Sequence, residues 1–100
     1  MPVSDRRMVE VENVNHPGKV NLVAADKYRA MEAAFIRVLP SKPPGMTADE
    51  LREKVRPLLS EDLFPGGATS GWWVKTVQLD LEAKGVIERD RGSPLRLRKV

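Results

Sequence analysis

The stretch from Phe64 to Arg89, FPGGATSGWWVKTVQLDLEAKGVIER, constrains this chain more than any other. It holds a helix with both ends marked. Thr69 or Ser70 offers a side-chain oxygen to the first free amides, and Gly85, just past Lys84, can take the left-handed turn that stops a helix. Val86 to Arg89 then reads as a strand and Asp90-Arg91-Gly92-Ser93-Pro94 as a turn. Leu95 to Lys99 returns, with Leu95 and Leu97 inward and Arg96 and Arg98 outward.

At about 100° per residue, Trp73, Val74, Val77 and Leu81 share one face of that helix, which the periodicity assigns to the core. Trp72, Leu79 and Ala83 fall on nearly the opposite side. Adjacent tryptophans cannot both point inward, and neither can Leu79 and Leu81, so the helix carries two apolar stripes. Lys75, Gln78 and Glu82 lie between them, with Thr76 and Asp80 on the other flank. The second stripe calls for a cover. The N-terminal segment of the same chain is the first candidate and a second subunit the next; a few scattered exposed apolar side chains would be the unremarkable alternative.

Two further helices precede this one. Tyr28, Met31, Phe35, Val38 and Leu39 recur on one face and predict a helix over about Asp26 to Leu39, capped by Asp26 or a near neighbour and stopped by Pro40. Ser41 to Gly45 is a stiff connector. Thr47-Ala48-Asp49-Glu50 then spells a capping box for a second helix, with Leu51, Val55 and Leu58 or Leu59 inward and a kink or end near Val55–Arg56 imposed by Pro57. Leu63 and Phe64 form an apolar latch before Pro65. At the start of the chain, Val9 and Val11 alternate with Glu10 and Glu12 as a half-buried strand over 8–14, Asn15-His16-Pro17-Gly18 turns, and Lys19 to Val23 returns. His16, the single histidine, reads as a turn residue, since no second ligand accompanies it.

Several classes of chemistry fall away. The chain has no cysteine, which excludes disulfides and thiolate metal sites and fits a reducing cytoplasm. No apolar run approaches the roughly 20 residues of a membrane helix, and the opening Met-Pro-Val-Ser-Asp-Arg-Arg lacks a signal peptide's hydrophobic centre. Gly66 to Gly71 imitates a phosphate loop, but Trp72 stands where the lysine must follow the second glycine. Asp49-Glu50 is accounted for by capping and Glu61-Asp62 falls on a loop, so the expectation is a non-enzyme with no metal and no cofactor. Charge is uneven: residues 84–100 hold six cations against two acids, a net +4 on a body of −1. A basic end of this kind suits a polyanion, although edge strands also carry Lys and Arg to deter aggregation.

The run Leu81-Glu82-Ala83-Lys84-Gly85-Val86-Ile87-Glu88-Arg89 resembles the junction between third helix and wing in the winged helix-turn-helix domains of bacterial transcription regulators. Asn15-His16-Pro17-Gly18, Phe64 to Thr69, and Gly71-Trp72-Trp73 followed by Lys75 to Leu81 resemble, more closely, a small bacterial family without an assigned activity. The resemblance implies an α+β fold: a three-helix winged-helix domain over 24–100 with a C-terminal hairpin wing, and an added N-terminal hairpin or arm over 1–23 packed on it. It implies duplex DNA as a partner, met through the start of the third helix (Thr69, Ser70, Lys75, Gln78) and the wing (Arg89, Arg91, Arg96, Arg98, Lys99), with backbone contacts dominating. The sequence departs from the regulators where Trp72, Leu79 and Ala83 replace a polar outer face. That departure favours the other expectation, a protein-contact or homodimerisation surface.

Overall fold

The valine–glutamate alternation becomes strand β1 (Met8–Glu12), paired antiparallel with β2 (Val20–Ala24) so that Val9 faces Val23 and Glu10 faces Leu22. This is a computed structural model, and it describes residues 7–90 and 95–100. The connecting loop is held by Asn13, whose carbonyl accepts from the His16 amide at 2.9 Å and whose side chain accepts from Asn15 at 2.8 Å. Helix α1 (Ala25–Val38) begins without a break at the end of β2. Its cap position is Ala24, with no side-chain cap; Asp26, expected to cap, lies inside the first turn, where its charge complements the helix dipole. Tyr28, Met31, Phe35 and Leu39 are buried, as the spacing predicts.

A short strand β3 (Met46–Thr47) and helix α2 (Ala48–Val55) follow. The capping box is fully formed: the Glu50 amide donates to Thr47 Oγ1 at 3.1 Å, and the Thr47 amide to Glu50 Oε1 at 2.9 Å. Those bonds from Thr47 hold the Glu50 carboxyl below its ordinary range. Pro57 ends α2 as expected, the chain continuing as a 3-10 turn over Arg56–Leu58, and Leu59 rather than Leu58 turns inward. Phe64 is buried edge-on against Trp73, with ring centres 6.4 Å apart.

Helix α3 (Ser70–Ala83) is entered through Thr69 in the left-handed region, φ 60°. In that conformation the Thr69 hydroxyl donates to the Ala68 carbonyl instead of capping the helix, so neither Thr69 nor Ser70 plays the capping role expected of it. The far end is a Schellman turn: Gly85, φ 75°, donates to Glu82 and Val86 donates to Leu81 at 2.9 Å. Strands β4 (Ile87–Asp90) and β5 (Arg96–Lys99) form the C-terminal hairpin, and β5 also pairs with β3, giving the order β3-β5-β4. The third strand was not anticipated from the sequence. Its close approach requires Gly45, where a Cβ would stand 2.6 Å from the Leu97 carbonyl.

The result is α+β, three helices with two small antiparallel sheets. Val11 and Val23 of the N-terminal hairpin join Tyr28, Met31, Val77 and Leu81 in one apolar cluster, so the hairpin is part of the core.

Candidate functional site

The two stripes of α3 meet different fates. Trp73, Val74, Val77 and Leu81 are buried in the core. On the second stripe Leu79 is only 8 % exposed, Ala83 is half-buried beside the N-terminal loop, and Trp72 is 57 % exposed. Trp72 stands edge-on to Trp73, with ring centres 5.0 Å apart, so its inner edge is fixed while its outer face meets solvent. It borders a cleft of about 330 Å³ together with Thr76 and Leu79 of α3 and Asn21 to Val23 of β2. The hairpin therefore covers the C-terminal half of the stripe and leaves Trp72 open.

The hairpin is held by Asp80, which the helical periodicity placed on a flank of α3 and which is wholly buried. Its carboxylate accepts from the Glu12 amide at 2.8 Å and from the Tyr28 hydroxyl, and Lys84 Nζ lies 3.0 Å away. One side chain thus ties β1, α1 and α3 together, and Lys84 compensates its charge. Burial first, and the bond to Asp80 second, push the Tyr28 hydroxyl well above the usual phenol range.

The residues expected to meet DNA are spread over two surfaces, and most are engaged within the chain. Ser70 and Gln78, expected to meet DNA, are buried; Gln78 donates to Glu82 at 3.0 Å. Thr69 and Lys75 are exposed. Arg89 forms a two-pronged pair with Glu82, which holds its guanidinium above the usual arginine range. Arg98 bridges Glu88 and Asp90 across the hairpin, Arg96 lies 3.7 Å from Glu50 of α2, and Lys99 Nζ donates to the Ile36 carbonyl at 3.0 Å. Arg91 lies outside the described residues. The charge asymmetry of the sequence is largely cancelled in space, because Glu50, Asp80 and Glu82 come from earlier in the chain to meet it. A larger, polar cleft of about 530 Å³ opens between Val14–Asn15 and β4, walled by that Glu82–Arg89 pair.

Other exposed apolar side chains escaped the sequence reading. Leu22, at 62 %, and Val20 lie on the outward face of β2, with Met8 across the hairpin on the same face. A signal for them existed: Val20, Leu22, Val23 and Ala24 make both faces of this strand apolar, which a strand buried on one side does not need.

Among the described residues, no group of His, Cys, Asp or Glu is arranged to hold a metal ion, and no helix is long and apolar enough to cross a membrane. Fold and surface define a small α+β domain in which a helix face and a two-stranded sheet border an open, largely uncharged cleft. The chain belongs to a family of unknown function (DUF6958), whose model matches residues 8–97. No curated protein and no solved structure matches it.

Proposed function

We propose that this chain is a winged-helix module that works by association with a second copy of itself through the face carrying Trp72, with no catalytic step. The order of helix, short strand, two helices and hairpin, with β3 paired to the final strand, supports the winged-helix reading. The observation that carries the functional reading is Trp72 itself: a tryptophan 57 % exposed on a helix whose neighbouring apolar positions are buried. A tryptophan can bury up to about 250 Å², so some 140 Å² of it is available to a partner. At about 25 cal/mol per Å² that area is worth roughly 3.5 kcal/mol per copy. Lack of cysteine supports a reducing, cytoplasmic setting.

Light scattering on the wild type and on Trp72→Ala tests this. The expected result is a mass twice the 11.2 kDa chain for the wild type and the chain mass for the variant. A wild type that stays monomeric at every concentration refutes the reading.

A second reading, contact with duplex DNA, is favoured by Lys75, exposed on α3 near Thr69. Titrating labelled duplex at several salt concentrations tests it. With the hairpin cations engaged as described, only about one to three phosphates would be neutralised, giving a log–log salt slope of roughly −1 to −3. Absence of binding at low salt removes this reading.

A further inference from the structure

The main chain of β2 has an edge that β1 does not use. In an antiparallel pair, opposed residues alternate between those that exchange hydrogen bonds and those whose amides and carbonyls point away from the partner. Glu12 faces Val20, yet the Glu12 amide is given to Asp80 on α3, so this pair is of the second kind. The Ala25 amide donates to the Arg7 carbonyl at 2.8 Å, which fits the same alternation at the other end. Glu10–Leu22 and Met8–Ala24 must then match Glu12–Val20. The outward groups of β1 point toward α3, whereas those of Val20 and Leu22 point to the opposite edge of the hairpin, where both residues are exposed.

Among the described residues, that edge carries none of the devices that normally keep strands apart. Val20-Asn21-Leu22-Val23-Ala24 contains no charge and no proline, and its two largest outward side chains are apolar. Lys19, exposed, sits just before it. Such a strand is complementary to its own antiparallel copy. With a two-fold axis at Leu22, Val20 of each copy lies opposite Ala24 of the other, and no like charges are brought face to face. Leu22 meets Leu22 on the outward face.

Resting on the self-association reading above, we infer that β2 is the dimer seam: two copies join edge to edge through β2 into a four-stranded antiparallel sheet. A two-stranded sheet is marginal by itself, and this pairing doubles it while satisfying the open main-chain groups.

The decisive variant is Leu22→Pro. Its missing amide is one that the ladder with β1 does not use, and proline is tolerated on an edge whose amide faces away. Light scattering should show a dimer for the wild type and a dissociation constant raised at least about tenfold for Leu22→Pro, with far-UV circular dichroism unchanged. Should Leu22→Pro disturb the fold, Leu22→Lys supplies the same test by placing a charge on the seam. In hydrogen exchange, the Leu22 amide should be protected at high concentration and fast on dilution. A dimer unaffected by Leu22→Lys, or a Leu22 amide that exchanges equally fast in dimer and monomer, overturns the β2 seam but leaves association through Trp72 standing. A dimer broken by the Leu22 substitutions but indifferent to Trp72→Ala supports the seam and overturns the Trp72 reading. A chain monomeric throughout overturns both.

Discussion

Replacing Asp80 by alanine should unfasten the N-terminal hairpin, and the structure sets the size of the effect. The carboxylate accepts from the Tyr28 hydroxyl and from the Glu12 amide, and Lys84 approaches it from the edge. Truncation leaves the first two donors without their acceptor, at about 1–3 kcal/mol each when buried. Glu12 is partly open to water, so its share falls at the lower end, and Lys84, 40 % exposed, re-solvates at little cost. The expected loss is therefore about 3 kcal/mol, a large part of the 5–15 kcal/mol typical of such a domain. In urea, with a slope of about 1–3 kcal/mol per M, the midpoint should fall by roughly 1–3 M. A double-mutant cycle with Tyr28→Phe isolates the shared bond: the pair should be non-additive by about 1 kcal/mol or more. Hydrogen exchange should show the Glu12 amide released early. An Asp80→Ala loss below about 1 kcal/mol, or additivity within about 0.5 kcal/mol, would refute the assignment of Asp80 as the tie between hairpin and helices.

Tyr28 also makes stability depend on alkaline pH. Its folded-state value is raised, so the native state keeps a proton that the unfolded chain gives up; its contribution is complete below about pH 10 and fades as pH rises beyond. The chain has a single tyrosine, so tyrosinate absorbance should stay flat until unfolding, and Tyr28→Phe should flatten the alkaline fall in stability. An ordinary phenol titration in the folded protein would contradict this. Gly45→Ala places a Cβ 2.6 Å from the Leu97 carbonyl at a left-handed backbone position, and should cost about 1–3 kcal/mol by pushing β3 off β5; thermal unfolding at unchanged ligand-free conditions measures it, and a neutral result would show that the β3–β5 contact is soft.

Local signals were legible where a few adjacent residues suffice to satisfy the backbone. The Thr47–Glu50 box, the stop at Pro57 and the Gly85 turn depend on side chains or φ values within one helical turn, and they stand where the sequence puts them. Thr69 shows the limit of that reasoning. A threonine before a helix is a good cap only in extended backbone, and the loop through Gly66 and Gly67 delivers it left-handed. Strand β3 was hidden for a related reason: Met46–Thr47 has no pattern of its own, and its pairing is set by β5 arriving from the far end of the chain.

By itself the sequence determined the three helices, the stops at Pro57 and Gly85, and the fact that α3 has more apolar surface than one core can use, because 3.6-residue periodicity and helix-stopping residues are properties of neighbours along the chain. Tertiary structure alone decided how that surplus is spent. Leu79 is covered by the chain's own hairpin and Trp72 is not, because the hairpin is pinned at Asp80, on the C-terminal side of Trp72. It also decided the electrostatics: an end that is +4 by counting is largely paired in space, since charge is additive along a chain whereas the field at a surface depends on which acids fold against which bases.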